Sequence, residues 1–516
     1  MLAVNEPVES HLASSTADVC TAASPLPVFR RNWGFALTCA VAILICGWFV
    51  TWGDGVFFEH DGLASFYDAQ ALSIMTGHLD VPREAIGFEA YIVNGKAYGY
   101  FGIAPALLRI PLMIAFPHLD GLWSRSMMML ACVLALIGAH GIFLLLSDQD
   151  KTPTRRSWQR SLFIIGAVLG STNLFIIARS YVFHEAIIWG STFALLFACA
   201  FLSYLKTPSC RLLALAGGLA FMSFHSRATA GAGALLAMCI LTAILVWRAA
   251  KKRDTAKSLL GFSTIDNPGA HAALAAFALI TTLGVYGGVN YAKFGTFGSM
   301  PLQYYDLYVQ SPNRMEITAA QQIHPENIPT TLAAYLGPRG LKFEDEFPWV
   351  GLARKATIIG SPRIDVVEGF SSFPVSMPAL TLLAVAGCFF LFRGSTETIR
   401  RARLPALALL VGGGVVFTTV GITERYLHDL YPALIICAAA GMHAFDSVNY
   451  RRSKTVLIIV LTIFGIALNS SFALTNQRAG SWGVPADKQA GFIHFQQSID
   501  RFLHRDQGAA VSKPPN

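Results

Sequence analysis

The chain has 516 residues, of which 54% are hydrophobic and only 14% are charged, and its mean hydropathy is +0.50. An average soluble domain has about 25% charged residues, so this composition excludes an ordinary soluble protein and indicates one surrounded by lipid. The net charge of +8 does not indicate nucleic-acid binding, because the basic residues form short strips between apolar runs and are not interleaved with aromatic residues.

Eleven apolar runs are predicted to be transmembrane helices, and several of them reach the roughly 20 residues that cross a hydrocarbon core. They lie near residues 34–52, 125–147, 161–178, 186–205, 212–224, 230–247, 271–290, 376–392, 404–420, 430–446 and 455–474. Basic strips between these runs, such as Lys151 to Arg160 and Arg393 to Arg403, are typical of cytoplasmic loops. We therefore expect a multi-pass protein of the bacterial plasma (inner) membrane, with its N-terminus in the cytoplasm and its C-terminus outside.

The spans divide the chain into a cytoplasmic tail at residues 1–33, a membrane domain at 34–475 and an extracytoplasmic tail at 476–516. Within the membrane domain, residues 53–124 and 291–375 form two large extracytoplasmic loops. Both loops mix aromatic, acidic and turn residues, which predicts ordered structure. The expected fold class is an all-α polytopic membrane protein with about 11 transmembrane helices and two structured extracytoplasmic loops.

Neither a signal peptide nor a disulfide is expected. Arg30 and Arg31 precede a first span that is too long for the apolar region of a signal peptide. Of the nine cysteines, Cys20 lies in the N-terminal tail and the others lie in or beside spans. The long loops contain no cysteine, so disulfides and cysteine-based metal sites are not predicted.

The first extracytoplasmic loop is predicted to contain two interfacial helices and a hairpin. Apolar residues recur at helical spacing between Asp61 and His78. Asn94-Gly95, between two runs of aromatic and β-branched residues that include Glu89 and Lys96, indicates a β-hairpin with a type I′ turn. Residues 104–116 are too few to cross the membrane and contain Pro111, so they are expected to form a second interfacial helix that carries Arg109.

Two aspartates of this loop are predicted to be catalytic. Asp61 is either the N-cap of its helix or a reactive carboxylate. Asp68 lies in mid-helix, where aspartate has poor helix propensity, and partial desolvation there would raise its pKa toward that of a useful base. The other acidic residues near Gly and Pro, such as Asp80 and Glu84, are interpreted as turn and surface residues.

The loop and the span pattern together resemble the GT-C class of membrane glycosyltransferases. This class includes the dolichyl-phosphate-mannose protein mannosyltransferases and the lipid A aminoarabinose transferases. The resemblance depends on Asp61 or Asp68 with the aromatic-rich helix, on the proline-containing helix 104–116, and on Arg125 at the start of the second span. The chain departs from many members in lacking an Asp-Glu pair, since Gly62 follows Asp61.

This resemblance implies that the donor is a sugar on a polyprenyl phosphate and that a first-loop carboxylate accepts the proton of an acceptor hydroxyl. The acceptor would be an envelope glycan, lipid or protein, and membrane lipids are expected around the helices. Displacement of a phosphate requires cations near the leaving oxygen. No cofactor is assigned, and the need for a divalent cation (Mg²⁺ or Mn²⁺) stays open.

Arginines near the extracytoplasmic ends of the spans are the predicted phosphate-binding residues. Arg425 is the first choice, because Glu424 to Asp429 places three formal charges at a span boundary, where a salt bridge with Glu424 or Asp429 is the alternative. Arg227 and Arg109 are the other choices. A guanidinium fork suits a phosphate.

Further site residues are predicted in the neighbouring turns. Arg179, His184 and Glu185 are expected at the extracytoplasmic ends of the third and fourth spans, where they either pair with each other or bind acceptor, donor or a divalent ion. The complete set of other candidate residues is Glu89, Lys96, Arg125, Arg179, His184, Glu185, Glu424 and Asp429. The second loop contributes Tyr304, Tyr305 and an acidic and aromatic segment near Trp349, to which no role is assigned.

Two other functions remain open at the level of sequence. The first is a transporter or lipid flippase, although the middles of the spans are nearly uncharged and the ionisable residues lie at their ends, which favours surface chemistry. The second is a polysaccharide polymerase or ligase, which would have the same topology. Similarity of fold alone does not separate these functions.

Overall fold

The computed structural model describes residues 26–147, 153–251, 265–298, 300–444, 451–478 and 484–503. Its α-helices are α1 Leu26–Val50, α2 Phe66–Met75, α3 Arg83–Ile86, α4 Ala104–Ala115, α5 Ser124–Leu146, α6 Pro153–Val168, α7 Asn173–Ile177, α8 Val182–Lys206, α9 Cys210–Phe224, α10 Ala228–Lys251, α11 Pro268–Phe294, α12 Asp306–Val309, α13 Pro312–Ile317, α14 Ile328–Leu336, α15 Phe373–Ser376, α16 Pro378–Arg393, α17 Glu397–Gly413, α18 Tyr431–Ala444, α19 Arg451–Arg478 and α20 Ala486–Phe502. Its strands are β1 Tyr91–Val93, β2 Lys96–Tyr98, β3 Leu341–Phe343, β4 Val350–Leu352, β5 Val366–Val367 and β6 Gly421–Ile422.

Long apolar helices dominate the described structure. Seven of its helices are long and apolar enough to cross a membrane, and their apolar segments are Trp33–Val50, Ser124–Leu146, Val182–Lys206, Ala228–Ala250, Pro268–Phe294, Glu397–Thr418 and Ser453–Arg478. The helical, multi-pass character expected from the sequence is therefore confirmed. Each of the other predicted spans also coincides with helical residues, but those helices are shorter, so the number of eleven crossings stays a prediction.

The third predicted span is not one continuous helix, which corrects the sequence-based boundary of 161–178. Helix α6 ends at Val168, and the short helix α7 begins only at Asn173. Between them, the Ser171 hydroxyl donates a hydrogen bond to the Ala167 carbonyl at 2.5 Å. Serine side chains compete in this way for helix carbonyls and often bend a helix.

Helices α16 and α18 pack closely through glycines. A Cβ added to Gly387 would lie 1.7 Å from the Cys437 carbonyl oxygen, and one added to Gly441 would lie 1.8 Å from the Leu383 carbonyl oxygen. Small residues allow helix backbones to approach in this way, which is typical of helix pairs in membranes.

The first loop contains the predicted hairpin and helices. Strands β1 and β2 pair antiparallel with Val93 opposite Lys96, and both turn residues, Asn94 and Gly95, have positive φ, as a type I′ turn requires. Helix α4 matches the predicted 104–116 helix within one residue. The helix predicted from Asp61 begins only at Phe66, after Ser65, so Asp61 is not its N-cap.

The second loop contains short strands, one of which pairs with a strand outside the loop. Strands β3 and β4 form an antiparallel pair, and β5 pairs parallel with β6, so that Val366 lies opposite Gly421. This second pairing holds residues 365–368 beside the segment that leads into the 3₁₀ helix Glu424–Leu430.

The C-terminal segment forms α20, which packs against both loops. Phe492 is buried, and Phe495 contacts Phe347 with ring centroids 5.6 Å apart. The Lys488 ammonium lies 3.0 Å from Asp54. Most of the predicted N-terminal tail, residues 1–25, lies outside the described residues.

Candidate functional site

Asp68 and Arg109 form a buried ion network with Glu185. The Arg109 Nε contacts Asp68 Oδ1, and its Nη2 lies 2.6 Å from Glu185 Oε1. The second oxygen of Asp68 accepts a hydrogen bond from the Trp123 amide at 3.2 Å. The side chains of all three charged residues are at most 1% exposed, so the network connects α2, α4 and α8 and is closed to solvent.

These contacts favour a structural role for Asp68, Arg109 and Glu185 over the roles expected from the sequence. A carboxylate whose oxygens are already bound by Arg109 and a backbone amide cannot accept a proton from an acceptor without first losing those bonds. The fully buried Arg109 likewise cannot reach a lipid phosphate. We therefore interpret the three residues as structural.

Asp61 has a strong partner in Arg125. Two hydrogen bonds of 2.8 Å and 2.7 Å join the Arg125 guanidinium to the Asp61 carboxylate, which is the bidentate geometry favoured by arginine. Arg125 also lies 2.7 Å from Glu59 and 3.6 Å from Asp54. The side chain of Asp61 is 6% exposed and that of Glu59 is 46% exposed, so Asp61 lies just below the surface within an acidic cluster around one arginine.

A cavity of about 250 Å³ lies where the two loops meet the ends of several helices. The first loop contributes Glu89 and Tyr100, the second contributes Tyr305 and Asp365, and the turn between α9 and α10 contributes Arg227. Further lining residues come from the start of α8, from the segment before the 3₁₀ helix and from that helix itself: Phe183, Ala186, Thr419, Val420, Gly421, Arg425 and Tyr426. The cavity thus combines cations, carboxylates and aromatic rings from distant parts of the chain.

The backbone of the first loop is held against the α9–α10 turn at this cavity. Gly102 packs so closely that an added Cβ would lie 1.8 Å from the His225 carbonyl oxygen. The same oxygen accepts a hydrogen bond of 2.9 Å from the Ala104 amide. A residue without a side chain is required here, because only glycine permits such an approach.

Two of the predicted phosphate-binding arginines, Arg227 and Arg425, line the cavity. Arg227 makes hydrogen bonds of 2.6 Å and 2.8 Å with the two oxygens of Asp429. Arg425 lies 2.7 Å from Glu368. The side chains of Arg227 and Arg425 are 14% and 21% exposed, so both are accessible from the cavity. The alternative salt bridge of Arg425 with Glu424 or Asp429 is not formed, since its ion partner is Glu368.

Glu89 is the predicted carboxylate that the structure brings to the cavity. It is buried, and its Oε2 accepts a hydrogen bond of 2.7 Å from the Tyr305 hydroxyl. Burial raises the pKa of Glu89, although the hydrogen bond from Tyr305 and the charge of Arg425 act in the opposite direction. A carboxylate with a raised pKa is a stronger base.

The remaining predicted residues lie outside the cavity. Lys96 is half exposed and pairs with Asp80 at 3.2 Å. Arg179 contacts the Tyr181 hydroxyl, and the buried His184 has its Nδ1 3.1 Å from the Arg179 carbonyl, while Glu185 pairs with Arg109. Glu424 is buried and accepts hydrogen bonds from Ser371 and Ser376. Burial raises the pKa of Glu424 to about 7.

Sequence reasoning missed Arg314, Asp365 and Glu368, all of which line the cavity. They lie in the second loop, far in sequence from the first, and no spacing rule connects them.

The described residues contain no group of three or more His, Cys, Asp or Glu side chains that could hold a metal ion. Where the described carboxylates of the cavity have partners, those partners are arginines and tyrosines, so no step is assigned to a divalent cation.

The fold and the cavity define a helical, multi-pass membrane protein with a charged and aromatic site at one end of its helix bundle. No protein-family model and no curated protein matches the chain. Among solved structures, the apo oligosaccharyltransferase of Archaeoglobus fulgidus matches with 12% identity and a TM-score of 0.47 over 95% of this chain and 62% of that chain. This chain therefore spans less than two thirds of that enzyme.

A second solved structure that matches is ArnT from Cupriavidus metallidurans bound to undecaprenyl phosphate. Its identity is 11% and its TM-score is 0.44, over 91% of this chain and 72% of that chain. At such low identity the similarity concerns the path of the chain, and the function proposed below depends on the cavity.

Proposed function

We propose that this protein is an integral membrane glycosyltransferase, which moves a sugar from a polyprenyl-phosphate donor to an acceptor of the cell envelope. The observation that carries the proposal is the cavity in which Arg227 and Arg425 lie beside Glu89. A phosphate leaving group, an acceptor hydroxyl and a sugar ring require cations, a base and aromatic surface, and all three are present in this one space.

The distribution of basic residues supports an extracytoplasmic position for this cavity. Helices α8 and α10 begin beside it with Phe183 and Ala228. Their other ends carry Lys206 and Arg248, respectively. Arg401 and Arg403 likewise lie near the start of α17, and the far end of that helix leads through Thr418 to the cavity. Because lysine and arginine are enriched on the cytoplasmic side, this distribution supports an extracytoplasmic position for the cavity end.

A lipid-linked donor has a route into the cavity from the bilayer. Phe224 of α9 and Tyr286 of α11 line the cavity and contact each other with ring centroids 4.9 Å apart. Nearby on α11, Ile280 and Leu283 are exposed apolar residues, as expected of a helix that faces lipid. We infer that a polyprenyl chain lies along α9 and α11 in the bilayer while its phosphate enters the cavity beside these two rings.

In the proposed reaction, Arg425 and Arg227 bind the phosphate that links the lipid to the sugar. The acceptor hydroxyl oxygen forms a bond to the anomeric carbon, and the bond from that carbon to the phosphate oxygen breaks. Glu89 accepts the hydroxyl proton, and the lipid phosphate leaves with the electron pair and an additional negative charge. The two arginines stabilise that charge, which develops only as the bond breaks.

Glu89 replaces Asp68 as the proposed base, because Asp68 is enclosed by Arg109. Asp61, one of the two aspartates on which the sequence resemblance depends, is the second choice, and it would have to exchange its bidentate contact with Arg125 for the acceptor. The two choices are separable, since Glu89 lines the cavity and Asp61 does not.

The proposal is tested by deleting the gene and restoring either the wild type or Arg425→Gln. Mass spectrometry of the envelope glycans and of the polyprenyl-linked sugars is the measurement. We expect one lipid-linked sugar to accumulate in the deletion strain and in the Arg425→Gln strain, and to return to its normal level with the wild type. An unchanged profile of glycans and lipid-linked sugars in the deletion strain would contradict the proposal, and altered solute uptake would then favour a transporter.

A further inference from the structure

Asp365 in the second loop is held between a tyrosine and an arginine at the wall of the cavity. Its Oδ2 accepts a hydrogen bond of 2.7 Å from the Tyr308 hydroxyl and lies 3.4 Å from Arg314 Nε. The backbone is held as well, because the Asp365 amide donates a hydrogen bond of 2.9 Å to the Val420 carbonyl. Asp365 thus has a defined orientation with one oxygen fully occupied.

The other oxygen of the same carboxylate is buried without a hydrogen-bond partner. The side chain of Asp365 is 1% exposed, and Oδ1 makes no hydrogen bond within the described part of the chain, although the amides of Asp365 and Val366 approach the carboxyl group. Leaving a buried acceptor unpaired is costly, and buried polar groups in proteins nearly always have a partner. Because the residue lines the cavity, a bound molecule can supply the missing donor.

We propose that Asp365 determines which sugar is bound, by accepting a hydrogen bond at Oδ1 from a hydroxyl group of that sugar. This inference rests on the proposed function and adds the chemistry of the ligand to it. Arg314 already offsets the negative charge of the carboxylate, so the free oxygen requires a neutral hydroxyl donor and not a second cation. A neutral sugar with a hydroxyl at this position is therefore the expected substrate class.

The surrounding residues fit a sugar in the same place. The rings of Tyr305 and Tyr308 lie nearly parallel, with centroids 5.2 Å apart and an interplanar angle of 23°, and both line the cavity beside Asp365. Aromatic faces provide apolar surface, while the carboxylate provides a directional contact. A site with a few placed polar groups on an apolar lining is typical of small-molecule binding.

An Asp365→Asn variant replaces the hydrogen-bond acceptor at Oδ1 by a donor and keeps the shape of the side chain. The partners of Oδ2, Tyr308 and Arg314, are both donors, so the amide oxygen of asparagine must take that position. The amide NH₂ group then replaces Oδ1, and an acceptor becomes a donor. Asp306→Asn is the matched control, because Asp306 also pairs with an arginine, Arg83 at 2.5 Å, but does not line the cavity.

The experiment measures the Kd of purified full-length protein for farnesyl-phosphate-linked hexoses and pentoses and for each of their deoxy counterparts. Loss of a hydrogen bond to a charged group weakens binding about 10- to 100-fold. We expect one deoxy position to show this loss in the wild type and in Asp306→Asn. In Asp365→Asn the same sugar hydroxyl can only accept a hydrogen bond from the neutral amide, so the loss should be clearly smaller, about 2- to 10-fold. Tyr308→Phe removes the hydrogen bond to Asp365 Oδ2 but leaves Oδ1 in place. This variant should therefore still bind the deoxy sugar more weakly than the complete sugar.

Several outcomes would overturn the inference. If Asp365→Asn discriminates against the same deoxy sugar as strongly as the wild type does, Asp365 is not the recognising residue. If replacement of the sugar hydroxyl by an amino group strengthens wild-type binding, the site selects an ammonium group instead. If no farnesyl-phosphate-linked sugar binds the wild type at all, the proposed function fails first. These results are distinguishable, because the first two require donor binding and the third excludes it.

Discussion

Arg227 donates two hydrogen bonds, of 2.6 Å and 2.8 Å, to the two carboxylate oxygens of Asp429, although the two residues are 202 positions apart in sequence. The pair joins the α9–α10 turn to the 3₁₀ helix before α18, and both segments border the cavity. Arg425, four residues before Asp429, is held less tightly by Glu368, whose side chain is 40% exposed. We therefore expect Arg425 to exchange its partner for a ligand more easily than Arg227 does.

The first prediction concerns Arg425. Arg425→Gln should weaken binding of a polyprenyl-phosphate-linked sugar about 10- to 100-fold, because a charge-assisted hydrogen bond contributes roughly 1.5–3 kcal/mol. The measurement is the Kd for farnesyl phosphate, which contains the phosphate without the sugar. Arg401→Gln is the control, since Arg401 also pairs with a glutamate, Glu397 at 2.6 Å, but on α17 away from the cavity.

An equal loss of affinity in both variants would mean that the loss follows from the lower net positive charge of the protein and not from a contact in the cavity. Unchanged affinity in Arg425→Gln would remove Arg425 from the site. Arg227→Gln is expected to lower the amount of folded protein as well, since it leaves the buried Asp429 without its arginine.

The second prediction concerns the pH dependence of transfer. A general base works in its ionised form, so activity should fall as the pH drops through the pKa of Glu89, which burial raises above its ordinary value. The Tyr305 hydroxyl stabilises the ionised form by its hydrogen bond. Tyr305→Phe should therefore raise the pKa of Glu89 further and move the acidic limb of the kcat/KM profile to higher pH, while Glu89→Gln should lower kcat at least 100-fold.

The control for this prediction is Tyr304→Phe, in the same segment but absent from the lining of the cavity. Its acidic limb should match that of the wild type. If Glu89→Gln retains transfer and Asp61→Asn abolishes it, the base is Asp61 and the proposed mechanism must be revised at that step.

Local patterns predicted the parts of the fold that local sequence determines. Asn94-Gly95 produced the hairpin, because a type I′ turn needs two residues that tolerate positive φ. The apolar runs also predicted helices from local sequence alone, because the length and hydropathy of each run determine whether it can cross the hydrocarbon core. The break at Ser171 was missed, because the hydroxyl that bonds to Ala167 leaves no trace in the apolar pattern.

The site was predicted only in part, because it depends on contacts between distant residues. Asp68 was predicted as a base from its position in mid-helix, but nothing local shows that Arg109, which also pairs with Glu185, contacts it in the core. Arg227 and Arg425 were found because charges at span ends are costly. Asp365 was not found, since its significance lies in one oxygen that remains unpaired after the loop has folded.

The third prediction separates a structural role for Asp68 from a catalytic one. Arg109→Ala should destabilise the protein by about 3–5 kcal/mol, because it leaves the carboxylates of Asp68 and Glu185 buried without their arginine. Asp68→Asn keeps the shape and should cost less, yet it should still lower the melting temperature measured in detergent. Asp80→Asn, which breaks only the exposed pair with Lys96, should change stability by less than about 1 kcal/mol.

A fully stable Asp68→Asn protein without transfer activity would restore the catalytic role that the sequence suggested. A destabilised protein whose folded fraction retains its normal kcat would support the structural role. Measuring kcat per folded molecule, by size-exclusion chromatography of each sample, keeps the two outcomes apart.

The last prediction concerns the contact between the first loop and the α9–α10 turn. Gly102→Ala places a Cβ 1.8 Å from the His225 carbonyl oxygen, so the loop must move away and the hydrogen bond from the Ala104 amide must lengthen. Overpacking of this kind costs roughly 1–3 kcal/mol, and the shift displaces a wall of the cavity. We expect kcat/KM for transfer to fall much more than the melting temperature does. Gly218→Ala on α9, where an added Cβ meets nothing within 4 Å, should leave both unchanged. A Gly102→Ala protein with normal kcat/KM would show that the proposed reaction does not use this cavity.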